Sequence, residues 1–281
     1  MNPERMAEIE QLSADSRGVL QPRLGARHFD LRRYPPGPAS ARFIRHYWAV
    51  EWDQGAAEPF RQATLPHPAV DVVFAPAYAN VYGLDPGVNV QTLEGRSWAL
   101  GVLFRPAGFT PLWPGRIADL TGRVVPLAAI FGDAGERAWE DVRAAAGGAA
   151  RAAIAENFFR CLAPAAAPRT ELARDLAEEI ACDPGLQRVD QLAAGHGLSV
   201  RAVQRLFHEQ VGTGPKWIIR RYRLLEAVER AGKGEPVSWA DLALALGYAD
   251  QAHLTREFTQ MVGFAPGEYA RACREGRPLP R

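Results

Sequence analysis

The pattern of hydrophobic and polar positions divides the chain into a front part with strands and a back part with helices. Up to about residue 160, short alternating or apolar runs lie between proline- and glycine-rich turns, as at 42–52, 70–75 and 98–104. Such runs are typical of the strands of a β-sandwich or barrel. From Leu127 the spacing becomes helical, with alanine-rich segments at 134–146 and 151–161. After Thr170, a predicted N-cap, almost every segment has helical periodicity.

The segment 162–169, which reads LAPAAAPR, separates these two parts. Two prolines in a run of small residues block a continuous helix and suit a linker. The sequence therefore predicts an α+β protein with two domains. A β-rich domain with trailing helices covers 1–161, the linker covers 162–169, and an all-α domain covers 170–281.

An internal repeat lies within the last hundred residues. The segments 192–207 and 242–258 align, and in each an alanine stands four residues before a glycine. A small side chain lets two helices approach closely, and glycine tolerates the left-handed turn between them. The second helices begin after Ser199 and Asp250, and the second copy has one extra residue in its turn. Beyond that turn, four residues recur 51 positions later: Arg205, Phe207, Gly212 and Pro215 return as Arg256, Phe258, Gly263 and Pro266.

The second helix of each copy has a polar face that is suited to reading DNA. With Val203 and Leu206 turned inward, the outward residues are Arg201, Gln204 and Arg205; in the second copy they are Gln251, Ala252, His253 and Arg256. Arginine can donate two hydrogen bonds to guanine, and glutamine can pair with adenine. A long helix at 215–231 fixes the separation of the two copies, and major-groove turns on one DNA face are roughly 34 Å apart.

The whole chain has a net charge of only +1, so the charge evidence for DNA binding comes from a local cluster of cations. Between Val200 and Arg223 there are six cations and one anion, Glu209. The bland alternative is a solvated helical face. The predicted phosphate contacts are Ser199, Lys216, Arg220, Arg221 and Thr255.

Residues 175–273 resemble the DNA-binding region of the AraC/XylS family of bacterial regulators, most distinctively at 247–258 and 263–269. The resemblance implies a regulator that binds double-stranded promoter DNA through two helix-turn-helix subdomains, seven helices in all, with base contacts at the seven outward positions. Ala252 is an exception among these positions, because alanine can contact a thymine methyl but cannot form a hydrogen bond with a base edge. If the protein is an activator, RNA polymerase is a further partner.

The front motifs at 43–48, 65–74 and 101–106 resemble the amino-terminal sensor domain of a subset of this family. The resemblance implies a jelly-roll-like domain that binds a small effector or mediates homodimerisation. His67 and Pro68 stand where Asp-Gly is more usual. Aromatic residues either line an effector pocket or form the core, and the pocket candidates are His46, Trp48 and Arg105.

Other classes of protein are disfavoured by the sequence. It has no nucleophile elbow, phosphate-binding glycine loop or dinucleotide fingerprint, so we expect no enzyme and no cofactor. His28, His46 and His67 are isolated and form no His-x-His pair, so we expect no metal site. The three separate cysteines, the lack of a membrane-spanning run and the polar start predict a cytoplasmic protein. The alternative function is a module that binds a small molecule or a protein, in which the helical repeat is structural.

Overall fold

The structure is a computed structural model that describes residues 17–56, 58–162, 167–233 and 236–279. After a short helix α1 (Pro22–Gly25), eight strands form in the described front part. They are β1 (Asp30–Tyr34), β2 (Ile44–Asp53), β3 (Phe60–Thr64), β4 (Asp71–Ala75), β5 (Tyr78–Tyr82), β6 (Asn89–Leu93), β7 (Arg96–Phe104) and β8 (Val124–Pro126). The three strands predicted from sequence correspond to β2, β4 and β7, and the predicted ends lie within two residues of the observed ones.

Six of these strands form one antiparallel sheet in the order β1-β2-β7-β4-β5-β8, and β3 pairs with β6 in a separate two-stranded ribbon. Two short 3-10 turns follow β7, at Thr110–Leu112 and Ile117–Leu120. Helices α2 (Leu127–Phe131), α3 (Asp133–Ala144) and α4 (Gly147–Cys161) then cover one face of the sheet. That face buries Tyr47, Phe74 and Phe104, which are at most 1% exposed. These three aromatics are therefore core residues, the alternative that the sequence left open beside a pocket.

The described chain from residue 167 onward forms seven helices, as predicted. They are α5 (Pro168–Cys182), α6 (Val189–Gly195), α7 (Val200–Gln210), α8 (Pro215–Gly232), α9 (Trp239–Ala245), α10 (Gln251–Val262) and α11 (Pro266–Glu275). The β-rich front and all-α back confirm the predicted fold class. Part of the predicted linker, 163–166, lies outside the described residues.

The predicted N-cap at Thr170 is wrong. Helix α5 begins earlier, with Ala167 at the N-cap and Pro168 in the first turn. Proline suits this position because its missing N–H would have no helical partner there. The Thr170 hydroxyl instead donates a hydrogen bond to Gln210 Oε1 over 2.8 Å.

Two hydrophobic cores hold the fold together. One lies between the six-stranded sheet and α2–α4, and the other lies within the seven helices. The cores are joined, because Trp217 of α8 packs against both, and Leu20, Leu65 and Ala107 from the front part are buried in the helical core. The β-rich part and the helical part therefore share an apolar interface.

Candidate DNA-binding surface

The turns of the two helix pairs have the same backbone geometry. Gly197 and Gly247 have φ angles of +64° and +72°, in the left-handed region. In each copy the residue after the glycine donates its N–H to the alanine at the predicted close approach, over 2.9 Å for both Leu198 to Ala193 and Tyr248 to Ala243. These bonds satisfy carbonyl groups that the end of a helix would otherwise leave unpaired. The repeat seen in the sequence is therefore a repeat of structure.

The caps of the two second helices also form as predicted. Ser199 Oγ accepts a hydrogen bond from the Ala202 N–H at 3.1 Å, and Asp250 Oδ1 accepts one from the His253 N–H at 2.7 Å. A side-chain cap of this kind contributes about 1 kcal/mol to helix stability. The Ser199 hydroxyl, predicted to contact phosphate, thus accepts a bond from its own helix and is left with its O–H to donate.

Helix α7 has one apolar and one open face. Val203, Leu206 and Phe207 are buried on the apolar face. The open face carries three exposed side chains that have no hydrogen-bond or ion-pair partner among the described residues: Arg201, Gln204 and Arg205. Their donors are free to bind an external acceptor.

Helix α10 repeats this arrangement in the second copy. Leu254 and Phe258 are fully buried. Among the predicted DNA contacts on this helix, Gln251, Ala252 and Arg256 are exposed, while His253 and Thr255 are half-buried. His253 Nε2 lies 3.3 Å from Glu257 Oε1, and its ring meets the Tyr248 ring edge-on at 5.2 Å. His253 is therefore partly committed to its own helix.

The predicted phosphate contacts on α8 differ in accessibility. Lys216 is exposed. Arg220 is about half exposed and forms an ion pair with Glu257 of α10, which ties the connecting helix to the second recognition helix. Arg220 can reach a phosphate only by sharing or releasing this partner.

The structure contradicts Arg221 as a phosphate contact. Its side chain is 2% exposed, and its Nη2 donates to the Asp85 carbonyl oxygen over 2.6 Å. The guanidinium also lies 4.9 Å from the centre of the Trp217 ring. Burial lowers the pKa of Arg221 to about 10. It is a residue of the interface between the two parts of the chain.

Two of the predicted effector residues, His46 and Trp48, lie on the sheet face opposite the helices. Across the strands, His46 pairs with Leu103, which pairs with Asp71, which pairs with Tyr82, so these four side chains share that face. His46 is buried, and Trp48 is half-buried. Asp71 lies within the front motif 65–74 but is not one of the predicted pocket residues.

Trp48 and Asp71 contact one another over a glycine. The indole lies across Gly101, where an added Cβ would be 1.9 Å from the ring. Trp48 Nε1 donates to Asp71 Oδ2 at 3.2 Å, whereas the buried Oδ1 has no partner among the described residues. Burial raises the pKa of Asp71 to about 7. The face therefore holds a carboxyl group to which the described part of the chain offers no ion-pair partner.

The third predicted effector residue, Arg105, is engaged elsewhere. Its Nε donates to the Ala41 carbonyl at 2.8 Å, and its Nη1 lies 2.9 Å from Glu178 Oε1 on α5. Arg105, predicted as an effector-pocket residue, therefore already has an anionic partner in Glu178.

Metal-binding clusters and membrane-spanning helices are both missing from the described residues. No cluster of three or more His, Cys, Asp or Glu side chains placed to hold a metal ion occurs among them. None of the helices in those ranges is long and apolar enough to cross a membrane.

Comparisons with known proteins match each part of the chain to a domain family. Residues 192–272 match the helix-turn-helix domain family of the AraC type, which confirms the resemblance drawn from the sequence. Residues 32–126 match a domain family of unknown function, DUF6597. A transcriptional activator, NphR, of a Rhodococcus species is 32% identical over 81 residues. That match covers 29% of this chain and 24% of the activator, so the chain spans about a quarter of this relative.

Two solved structures are similar to parts of this chain. A probable AraC family transcriptional regulator from Rhodopseudomonas palustris is 26% identical, with a TM-score of 0.32, over 38% of this chain and 97% of its own. ToxT from Vibrio cholerae, bound to a methylnaphthalenyl butenoic acid, is 9% identical, with a TM-score of 0.39, over 81% of this chain and 99% of its own. Of these three proteins, NphR is described as a transcriptional activator and the Rhodopseudomonas protein as a probable transcriptional regulator.

Proposed function

We propose that this chain, which carries an AraC-type helix-turn-helix domain, is a sequence-specific DNA-binding transcriptional regulator. In this proposal the region up to residue 161 is a sensor domain, 162–169 is the linker, and 170–281 binds promoter DNA. The observation that carries the proposal is the pair Arg205 and Arg256. They occupy matching positions in the two copies, both are exposed, and neither has a partner among the described residues. A guanidinium fork held this way on a recognition helix suits the edge of guanine.

Arg205→Ala and Arg256→Ala should each lower the preference for the cognate site over random DNA. The expected loss is roughly 1–3 kcal/mol per substitution, or about 5- to 150-fold, because each removes a bidentate base contact. The measurement is fluorescence anisotropy with the purified full chain on a site selected from random DNA, competed with random duplex.

The matched control is Lys216→Ala, which removes an exposed cation from α8. A phosphate contact carries no sequence information, so this variant should bind both DNAs less tightly by the same factor. Equal losses on both DNAs for Arg205→Ala and Arg256→Ala would show that the two arginines contact only phosphate.

We further propose that a small molecule bound at the sheet face of His46, Trp48 and Asp71 controls DNA binding. The half-buried indole offers apolar contact area, and the unpaired Asp71 Oδ1 offers an acceptor. Pockets that combine apolar walls with a few polar groups are typical of ligand sites. A compound library tested for changes in DNA affinity should yield compounds whose effect is at least about tenfold weaker on Trp48→Ala, by loss of one buried aromatic contact. Compounds that act equally on wild type and Trp48→Ala would place the effector elsewhere.

The activator role and the contact with RNA polymerase are proposals of the same kind. They are supported by the name of the Rhodococcus relative, a transcriptional activator. Transcription in vitro from a promoter that carries the selected site should rise on addition of the protein, and a fall would identify a repressor. Homodimerisation is tested by sedimentation of the protein with and without DNA.

A further inference from the structure

The two helix-turn-helix units differ in what lies against the corner after the recognition helix. Gly212 and Gly263 occupy matching positions and share a φ of +87°. A Cβ on Gly212 would lie 3.1 Å from the backbone of Ala118, in the second 3-10 turn of the β-rich part up to residue 161, which we call the β-domain. A Cβ on Gly263 would meet nothing within 4 Å. Only the first of these corners is therefore packed against the β-domain.

Two further residues that contact the front part of the chain are specific to the first unit. Trp217 and Arg221 lie on α8 one helical turn apart, and the residues 51 positions later on α11 are Glu268 and Ala272. Trp217 packs against both hydrophobic cores. Arg221 donates to the Asp85 carbonyl in the turn after β5. The second unit therefore serves as an internal comparison for the first, because it lacks both of these side chains.

The β-domain also completes the end of the first recognition helix. The last carbonyls of a helix have no partner within the helix. In α7 one of these, Gln210 O, accepts a hydrogen bond from Thr110 Oγ1 at 2.5 Å. The face of α7 that carries Arg201 and Arg205 remains exposed. The β-domain therefore holds α7 at its end and leaves its DNA-reading face open.

A different segment of the front part holds the second unit. The Gln21 N–H donates to the Tyr269 hydroxyl at 3.0 Å, and Gln21 Nε2 donates to the Arg277 carbonyl at 2.8 Å. Arg17 pairs with Glu229, near the end of α8, at 3.0 Å. The two helix-turn-helix units therefore contact the front part of the chain at two separate places.

Arg221 is poorly explained by stability alone. Its Nε and Nη1 are buried without partners among the described residues. A buried charge with unsatisfied donors costs folding energy, and an apolar side chain of similar volume is often as stable or more stable. Its short hydrogen bond to the Asp85 carbonyl of the β-domain instead fixes the position of α8 relative to that domain.

We propose that Trp217 and Arg221 are positioning residues through which the β-domain fixes the first reading helix relative to the second, and so restricts the spacing of the two DNA segments. This inference rests on the proposed function. Because α7 is anchored at its end and open on its reading face, the contact orients the helix and does not cover it.

The test uses the full chain with Arg221→Met, which keeps the apolar stem and removes the guanidinium. The probes are the selected site and the same site with one base pair inserted between the two contacted segments. One base pair moves a segment by about 3.4 Å and turns it by about a tenth of a helical turn. Wild type should bind the longer site at least about tenfold more weakly, and Arg221→Met should reduce that ratio at least about threefold.

Lys216→Met is the matched control on the same helix. It should weaken binding to both sites by one factor and keep the ratio of wild type. Thr110→Val removes the bond to Gln210 from the β-domain side alone, and it should lower the ratio in the same direction as Arg221→Met. A folding defect without a positioning role would reduce binding to both sites equally.

The inference is overturned if Arg221→Met and Thr110→Val retain the spacing ratio of wild type, since α8 alone would then fix the spacing. It is also overturned if wild type binds a specific sequence but does not distinguish the two spacings. Failure of wild type to select any DNA sequence is a separate result, which removes the proposed function itself.

Discussion

Raising the salt concentration from 50 to 200 mM should weaken DNA binding by this chain about 10²- to 10³-fold. The logarithm of affinity falls with the logarithm of salt with a slope of about −0.9 per neutralised phosphate, because bound cations release counterions from DNA. With about five such contacts the slope is about −4.5, and a fourfold rise in salt then gives about 500-fold. Anisotropy titrations at several salt concentrations measure this slope directly. The exposed cations that can neutralise phosphate charge are Lys216 and Arg220 at the backbone, together with Arg201, Arg205 and Arg256, whose guanidinium groups lie between the flanking phosphates when they reach base edges in the groove.

Two variants make the salt experiment specific. Lys216→Ala should make the slope shallower by about 1, because one phosphate contact is lost. Arg221→Met should leave the slope of wild type unchanged, because that guanidinium is buried against the β-domain. A slope near zero in the wild type would favour the alternative function, in which the helical repeat binds a protein through apolar contacts.

The double helix-turn-helix region could be predicted in detail because its determinants are local. A left-handed glycine, a small residue four positions earlier and a capping Ser or Asp act within one turn of chain. The observed bonds at Gly197 and Gly247 and the caps at Ser199 and Asp250 follow from these neighbours. The same reasoning should have placed the start of α5 at Pro168, since proline is common at the first position of a helix.

The role of Arg221 could not be predicted in this way, because its partner lies 136 positions away in the chain. A partial signal exists in the spacing. Trp217, Arg221, Leu224 and Val228 form one stripe at helical intervals, and three of the four are apolar. An arginine inside an apolar stripe indicates a buried partner more often than a phosphate. What the sequence does not contain is the identity of the surface that covers the stripe.

The proposed ligand-binding face of His46, Trp48 and Asp71 was only partly predictable for a related reason. His46 and Trp48 alternate along one strand, so a shared face follows from the two-residue period. Asp71 joins them only through the register of β2, β7 and β4, which sequence patterns alone leave open. Gly101 is explained by the same register, since it provides the space for the Trp48 indole.

Asp71→Asn should gain about 4 kcal/mol of stability relative to wild type as the pH rises from 4 to 7.5. Burial raises the pKa of Asp71 from 3.8 to about 7. Above pH 4 the unfolded chain gains stability by ionising this carboxyl, whereas the folded chain keeps it neutral until about pH 7. The stabilisation present below pH 4 is thus lost by pH 7. About three pH units at 1.36 kcal/mol each give the stated magnitude, and asparagine, which cannot ionise, escapes the loss.

The measurement is urea unfolding of wild type and Asp71→Asn at several pH values, compared as a difference. The difference is needed because His67 acts in the opposite direction: burial first, and then the nearby Arg45 and Arg33, lower its pKa to about 3. The folded ring stays neutral while the unfolded ring binds a proton below about pH 6.5, so its stabilisation is lost as the pH falls. In wild type the two slopes oppose each other between about pH 4 and 6.5. In the His67→Gln variant, the free energy of unfolding should therefore fall visibly as the pH rises, because only the effect of Asp71 remains. A stability difference between wild type and Asp71→Asn that stays constant from pH 4 to 7.5 would show that the carboxyl ionises normally in the folded protein.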